Sequence, residues 1–384
     1  MRRSRDEHGP SGRPVSRRDL FRPRARTAPA SPWSPTTSEA GPGPSAFDLI
    51  NASRPAMGSY FEVKVPAFVP DAAGLAMRAL DVVDELEMQL TVYRDDSEVA
   101  RLNAEAHLGP VAVEPGLFDL LARAVGLWRE TGGAYDVTSG ALSNAWGFTR
   151  GPRRVPDPEA LAVARDRTGS GHLRLDPSAR TVAFDRPGIV VNLGSIGKGY
   201  AVDRAADAIR AHWFPTPAII HGGRSSLYAL GSPPDPFADR WSVAVRNPLD
   251  PESPVGTLRL RDRGMGTSGA AFQRFEEGGR AYGHLIDPRT GEPPEAGPLA
   301  VTVLAPTAAE ADALSTAFYL LGPDRAAGYA EGRPEVGFLF LVNGDDPRRP
   351  EVLTFGLSAR DFAPADRARP ADARPMPIRP DLPG

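Results

Sequence analysis

The chain has 384 residues, a formal net charge of −3, 41% hydrophobic residues and no cysteine. That length allows one large or two medium domains with a sizeable core, and the charge argues against a chain-wide nucleic-acid binder. The lack of cysteine excludes disulfides, zinc–thiolate sites and a thiol nucleophile, and no apolar run approaches the roughly 18 residues of a membrane span.

Residues 1–46 are rich in Pro, Ser and Arg and show no apolar periodicity, so a disordered basic tail is expected. Ser16-Arg17-Arg18-Asp19-Leu20-Phe21 resembles a twin-arginine export signal. Arg22-Pro23-Arg24-Ala25-Arg26 follows instead of an apolar stretch, which favours a cytoplasmic protein. The folded part is expected over 47–357. From 358 to 384 the chain again turns rich in Pro, Arg and Asp and is expected to be loose.

Tyr60 to Val65 alternates like a half-buried strand, while 71–92 and 116–131 carry helical periodicity. Ile189 to Leu193 is a β-rich apolar run, and 198–212 is helical again. Short strands are expected at 217–221, 226–230, 241–245, 256–260, 271–276 and 280–286. Strand 299–304, helix 308–321, a short helix near 324–331 and strand 336–342 complete the pattern. Helices and strands mix without strict βαβ alternation. This predicts an α+β fold of largely antiparallel sheets packed with helices.

Two glycine motifs stand out. Gly264-Met265-Gly266-Thr267-Ser268-Gly269 matches G-x-G-x-x-G, but no strand-then-helix context surrounds it, so a dinucleotide fingerprint is rejected. Gly194-Ser195-Ile196-Gly197-Lys198-Gly199 resembles a P-loop, although Asn192 and Gly199 depart from the motif. A strand entering a glycine-rich turn before a helix would leave backbone N–H groups free for a phosphate. Lys198 adds a cation; the only other lysine is Lys64. The same glycines would also serve a closely packed helix start.

His284 and Ile286 would share one face of strand 280–286. A histidine there could act as a general base or simply pack. Thr307 to Glu310 reads T-x-x-E, a capping box, and Gly322-Pro323 should stop the helix that follows. Asp312 and Thr316 then lie one turn apart on one solvent-facing side. A carboxylate and a hydroxyl so placed offer a hard cation such as Mg²⁺ two oxygen ligands.

Taken in order, several segments resemble the FAD:protein FMN transferase (ApbE) family. They are Met57-Gly58-Ser59, Tyr93 with Ser97-Glu98, Gly133 to Thr138, Asn144 to Phe148, Asn192 to Asp203, Gly222-Gly223, Thr267-Ser268-Gly269, His284 to Gly291 and Val301 to Thr316. The resemblance implies an ApbE-like fold and a Mg²⁺-dependent enzyme that cleaves FAD. Such an enzyme attaches FMN through its phosphate to a Thr or Ser hydroxyl of a flavin-accepting protein, such as an electron-transfer subunit, and releases AMP. It implies Asp312 and Thr316 as metal ligands, with oxygens near Ser195, Gly197 or Ser315 completing the shell. Lys198 and the 194–199 turn would meet the phosphates. Met57, Tyr93, Ala134, Tyr135, Asp136, Asn192 and Ile286 match nucleotide-binding positions, and His284 is the candidate catalytic base.

The family usually has aspartate at Asn192, threonine at Ser59, and Asn or Asp at Arg224. Two other functions stay open: a Mg²⁺-dependent FAD pyrophosphatase, with water replacing the protein hydroxyl, and a non-catalytic FAD-binding protein.

Overall fold

The computed structural model describes residues 48–269, 274–346 and 348–365. Expectations for 1–46, 366–384 and the first half of strand 271–276 lie outside the described residues. The chain opens with a hairpin of β1 (Leu49–Ala56) and β2 (Ser59–Pro66), followed by α1 (Ala72–Leu90) and α2 (Glu98–Glu105). Next come β3 (Val111–Ala112), α3 (Pro115–Glu130), α4 (Gly140–Ala145) and α5 (Pro158–Asp166). Strands β4 (Leu173–Asp176) and β5 (Thr181–Phe184) precede α6 (Gly197–Arg210), β6 (Ala218–Gly222) and β7 (Ser226–Leu230). Strands β8 (Trp241–Val245), β9 (Gly256–Leu260), β10 (Arg263–Gly269), β11 (Arg274–Glu277) and β12 (Arg280–Gly283) follow. The last elements are β13 (Ala300–Ala305), α7 (Ala308–Leu321), α8 (Pro323–Ala330), β14 (Gly337–Asn343), β15 (Pro350–Phe355) and β16 (Phe362–Pro364).

The centre is an antiparallel sheet ordered β1-β2-β6-β7-β10-β13-β14-β15. Helices α1, α6 and α7 pack on one face. The small sheet β16-β9-β8 contributes Trp241, Leu258, Leu260 and Phe362 to a second cluster with Ile219, Leu227, Leu339 and Leu341 of the large sheet. Both faces are therefore buried, which explains why β14 reads as an unbroken apolar run. Phe338 and Phe340 point into the helix-side core, while Leu339 and Leu341 point into the other. The α+β expectation holds. β16 lies within the segment that the sequence suggested would be loose.

Three local readings change. The run 189–193 is no strand; it is extended chain with one bridge, Val190 to Ser139, and a bond from Asn192 N to Val137 O. Strand 280–286 stops at Gly283, so His284 and Ile286 lie in the loop beyond it. The Gly264–Gly269 motif is itself strand β10. A Cβ on Gly264 would overlap Ala308 N, and one on Gly266 would overlap the Ala311 carbonyl. The glycines let the backbone of α7 lie directly on the strand, the close approach that glycine in a strand often marks.

Candidate functional site

Helix α7 begins where the sequence places it. The Thr307 hydroxyl accepts from Glu310 N at 3.1 Å, which supplies half of a capping box. The Glu310 carboxylate does not return to Thr307; it binds Arg123 at 2.6 Å. Two further N–H groups at this end, those of Ala308 and Ala309, donate to the carboxylate of Asp203 on α6 at 2.7 and 2.9 Å.

The face of α7 that carries Asp312 is buried, not solvent-facing. Asp312 is 7% exposed, because α7 is sandwiched between β10, β13 and α6. Its Oδ2 accepts from Gly199 N at 2.8 Å and from the Ser226 hydroxyl at 2.6 Å. Its Oδ1 is buried without a hydrogen-bond partner among the described residues. An unsatisfied buried polar atom costs about 1–3 kcal/mol, and more when charged. Folds keep such groups where something else fills the lone pair.

Hydroxyls gather at the main-chain carbonyl of the same residue. Ser315 Oγ and Thr316 Oγ1 donate to the Asp312 carbonyl at 2.9 and 3.3 Å. Ser268 of β10 meets both hydroxyls, at 2.8 Å and 3.1 Å. Lys198, half-buried at the start of α6, lies close enough to favour the charged form of Asp312. Among the described residues no three His, Cys, Asp or Glu side chains cluster where they could hold a metal ion. A cation here would thus rest on one carboxylate with hydroxyl and carbonyl oxygens, a hard-oxygen set of the kind Mg²⁺ accepts. The orphaned Oδ1, and the Ser315 and Thr316 hydroxyls one turn along the same helix, fit that role.

The turn before α6 offers fewer free donors than expected. Gly194 N binds Asn192 Oδ1 at 2.9 Å, and Ile196 N and Gly197 N bind Leu193 O. Gly199 N is taken by Asp312. Asn192 thus shapes the turn from within. Gly199 also needs to be glycine, since a Cβ there would overlap the Ala308 carbonyl.

The other candidate residues divide into buried and exposed groups. Tyr135 is fully buried beside Ser195 and within electrostatic reach of Asp312; burial pushes its phenol pKa up. Asp136 is buried, and its oxygens accept from Thr138 N, Thr138 Oγ1, Ser170 Oγ and Ser170 N at 2.6–3.0 Å. It therefore ties its loop to the 170–172 turn. Ala134 is buried beside it. Ile286 packs against Leu142, Trp146 and Ala164. Met57 (φ 49°) and Gly58 (φ 69°) form the two-residue turn of the β1–β2 hairpin. Positive φ at both central positions is the type I′ pattern, and Met is an uncommon residue there. Tyr93 is 65% exposed. No hydrogen bond among the described residues joins Met57, Tyr93 or Ile286 to the Asp312 cluster. The His284 ring meets Phe148 edge-on at 6.4 Å.

Sequence reasoning missed Ser226, Ser268 and Asp203 as parts of this arrangement. Each lies within or beside a quoted motif, but their partners sit 47 to 106 positions away, so no local spacing marks them.

Burial lifts the carboxyls of Asp203 and Asp312 from 3.8 to about 7. The folded chain then holds protons that the unfolded chain has released above about pH 4. Folded protein binds more protons in that window, so stability falls as pH rises from about 4 to about 7. The melting temperature of metal-free protein is expected to decline across this range, and Asp203→Asn should flatten the decline. A melting temperature that climbs steadily between those limits would contradict the buried assignment.

Residues 57–340 match the model of the ApbE family. Among curated proteins, the chain is 33% identical over 300 residues to an FAD:protein FMN transferase of Klebsiella pneumoniae, covering 76% of this chain and 83% of that protein. A protein of the same name from Treponema pallidum is 34% identical over 305 residues, covering 76% and 81%. Among solved structures, the apo flavinyl transferase ApbE of Pseudomonas stutzeri superposes with a TM-score of 0.70 at 30% identity, covering 80% of this chain and 95% of that one. Flavin transferase ApbE from Vibrio cholerae gives a TM-score of 0.70 at 29% identity, covering 82% and 98%.

Proposed function

The chain belongs to the ApbE family, and from that premise we propose that it is an FAD:protein FMN transferase. It cleaves FAD, joins FMN through its phosphate to a Thr or Ser hydroxyl of a target protein and releases AMP. The observation that carries this reading is Asp312, whose Oδ1 is buried and unpartnered among the described residues, on the helix whose next turn carries the Ser315 and Thr316 hydroxyls and within electrostatic reach of Lys198.

Asp312 and Thr316 would hold Mg²⁺, with oxygens near Ser195, Gly197 or Ser315 as further donors. Bound there, Mg²⁺ would supply neutralisation of the charge on the pyrophosphate oxygens. Lys198 provides the protein's own cation for the same phosphates. Asn192 holds the 194–199 turn in shape. Tyr93 offers an exposed ring for stacking, and Met57 sits at the hairpin turn. Ala134, Tyr135, Asp136 and Ile286 are buried, so they act by shaping the nucleotide wall or through backbone groups. His284 takes the proton of the acceptor hydroxyl. The acceptor is a flavin-carrying protein of the electron-transfer kind. Among the described residues no helix is long and apolar enough to cross a membrane.

The test is incubation with FAD, Mg²⁺ and a flavin-accepting domain. A fluorescent acceptor band on a denaturing gel is expected. Free FMN and AMP without labelled protein would make the chain a pyrophosphatase, and no turnover would make it a binder. In titrations, FAD is expected to bind more tightly than FMN or NAD. Equal affinity for NAD would count against a site built around a flavin nucleotide.

A further inference from the structure

Helices α6 and α7 cap each other. Asp203, in the second turn of α6, accepts from Ala308 N and Ala309 N, the first two N–H groups of α7. Asp312, in the second turn of α7, accepts from Gly199 N in the first turn of α6. Each helix thus fills orphan donors of the other, donors that a helix start cannot satisfy internally. When the carboxyls are ionised, the bonds also place negative charge at both positive helix ends. The absence of a side chain at Gly199 lets the two backbones meet. The arrangement is closed: displacing α7 would break the Asp203 bonds and pull Asp312 away from Gly199 together.

We infer that Asp203 is a positioning residue for the cation site, holding α7 so that Asp312 keeps Oδ2 on α6 and leaves Oδ1 to a metal ion. This rests on the reading of Asp312 as the metal-binding carboxylate. Asp203 does not touch the reacting groups. Its two oxygens are both engaged by backbone donors, and it acts only through the helix that carries Asp312.

The experiment uses the full chain and Mg²⁺ alone, without FAD. Thermal unfolding is followed while MgCl₂ is titrated into wild type, Asp203→Asn and Asp207→Asn. Asp207 lies on the same helix, pairs with Arg204 and Arg210 at the surface and caps no helix donor among the described residues, so it serves as the control. Asn at 203 keeps one acceptor and turns an N–H₂ toward the second donor, so one cap bond is lost. The wild type and Asp207→Asn should be stabilised by Mg²⁺ with the same midpoint. Asp203→Asn should need about tenfold more Mg²⁺, the low end of what supporting residues of metal sites cost. A residue that is merely structural would lower the starting melting temperature and leave the Mg²⁺ midpoint where it was. That result would overturn the inference while leaving the metal assignment intact. No Mg²⁺-dependent shift in the wild type would overturn both. If Asp203→Asn does not fold, Asp203→Ser, whose hydroxyl can still accept one N–H, is titrated with the same expected and overturning outcomes.

Discussion

Asp312→Asn is expected to fold and to lose FMN transfer by more than about a hundredfold, beyond the cost of losing a supporting residue of a metal site. The remaining amide oxygen can still accept from Gly199 N and Ser226 Oγ, so the cap on α6 survives. The amide N–H₂ replaces Oδ1 and presents donors where a cation needs a lone pair. Removing a buried charge also lifts a desolvation cost, so metal-free stability should hold or rise. Asp312→Ala behaves differently. It removes the acceptor that caps α6, and lost caps cost about 1 kcal/mol. It also leaves Gly199 N and Ser226 Oγ unpaired. On the solvent-facing side expected from sequence the alanine change would leave the fold untouched; the burial of Asp312 corrects that. Transfer rates at low and saturating Mg²⁺, measured beside melting temperatures, check the prediction. Near-normal transfer by Asp312→Asn at low Mg²⁺ would sink the metal assignment.

Helix α7 shows what was legible and what was not. Its ends were readable because Thr307, Gly322 and Pro323 act on their immediate neighbours. Its burial was not, because Ala-rich turns suit either a surface helix or one sandwiched in a core. The glycines at 264, 266 and 199 carry the same ambiguity. Glycine reports that something comes close, and only the fold says whether it is a phosphate or another helix. Here α7 is what comes close to all three. The run at 189–193 had strand composition but joins none of the sheets. It bridges Ser139 once and is held besides by the Asn192 N to Val137 O bond and by the Asn103 side chain on the Val191 backbone. The candidate residues were found through family-like motifs, whereas the bonds that join α7 to α6, β7 and β10 span scores of positions and leave no local pattern.

His284→Asn is the second large effect. A hydroxyl is a poor nucleophile at neutral pH, and a positioned base contributes roughly a hundredfold to ten-thousandfold. His284 leaves the end of β12, half-exposed, with its ring edge-on to Phe148. The loop that carries it is firmly held. Asp287 binds Arg289 at 2.7 Å, Arg289 reaches the Leu320 carbonyl of α7, and Trp146 Nε1 donates to Gly291 O at 2.9 Å. A side chain on so fixed a loop can be aimed, as general-base catalysis demands. The variant is therefore expected to keep FAD affinity and melting temperature while its transfer rate falls by about a hundredfold or more. If the ring only packs against Phe148, the same change lowers stability and leaves the rate per folded molecule nearly unaltered. FAD titration, thermal unfolding and transfer rate on this one variant separate the two roles. A near-normal rate with normal affinity would remove His284 from the chemistry and leave Lys198 and the Asp312 cluster to carry it.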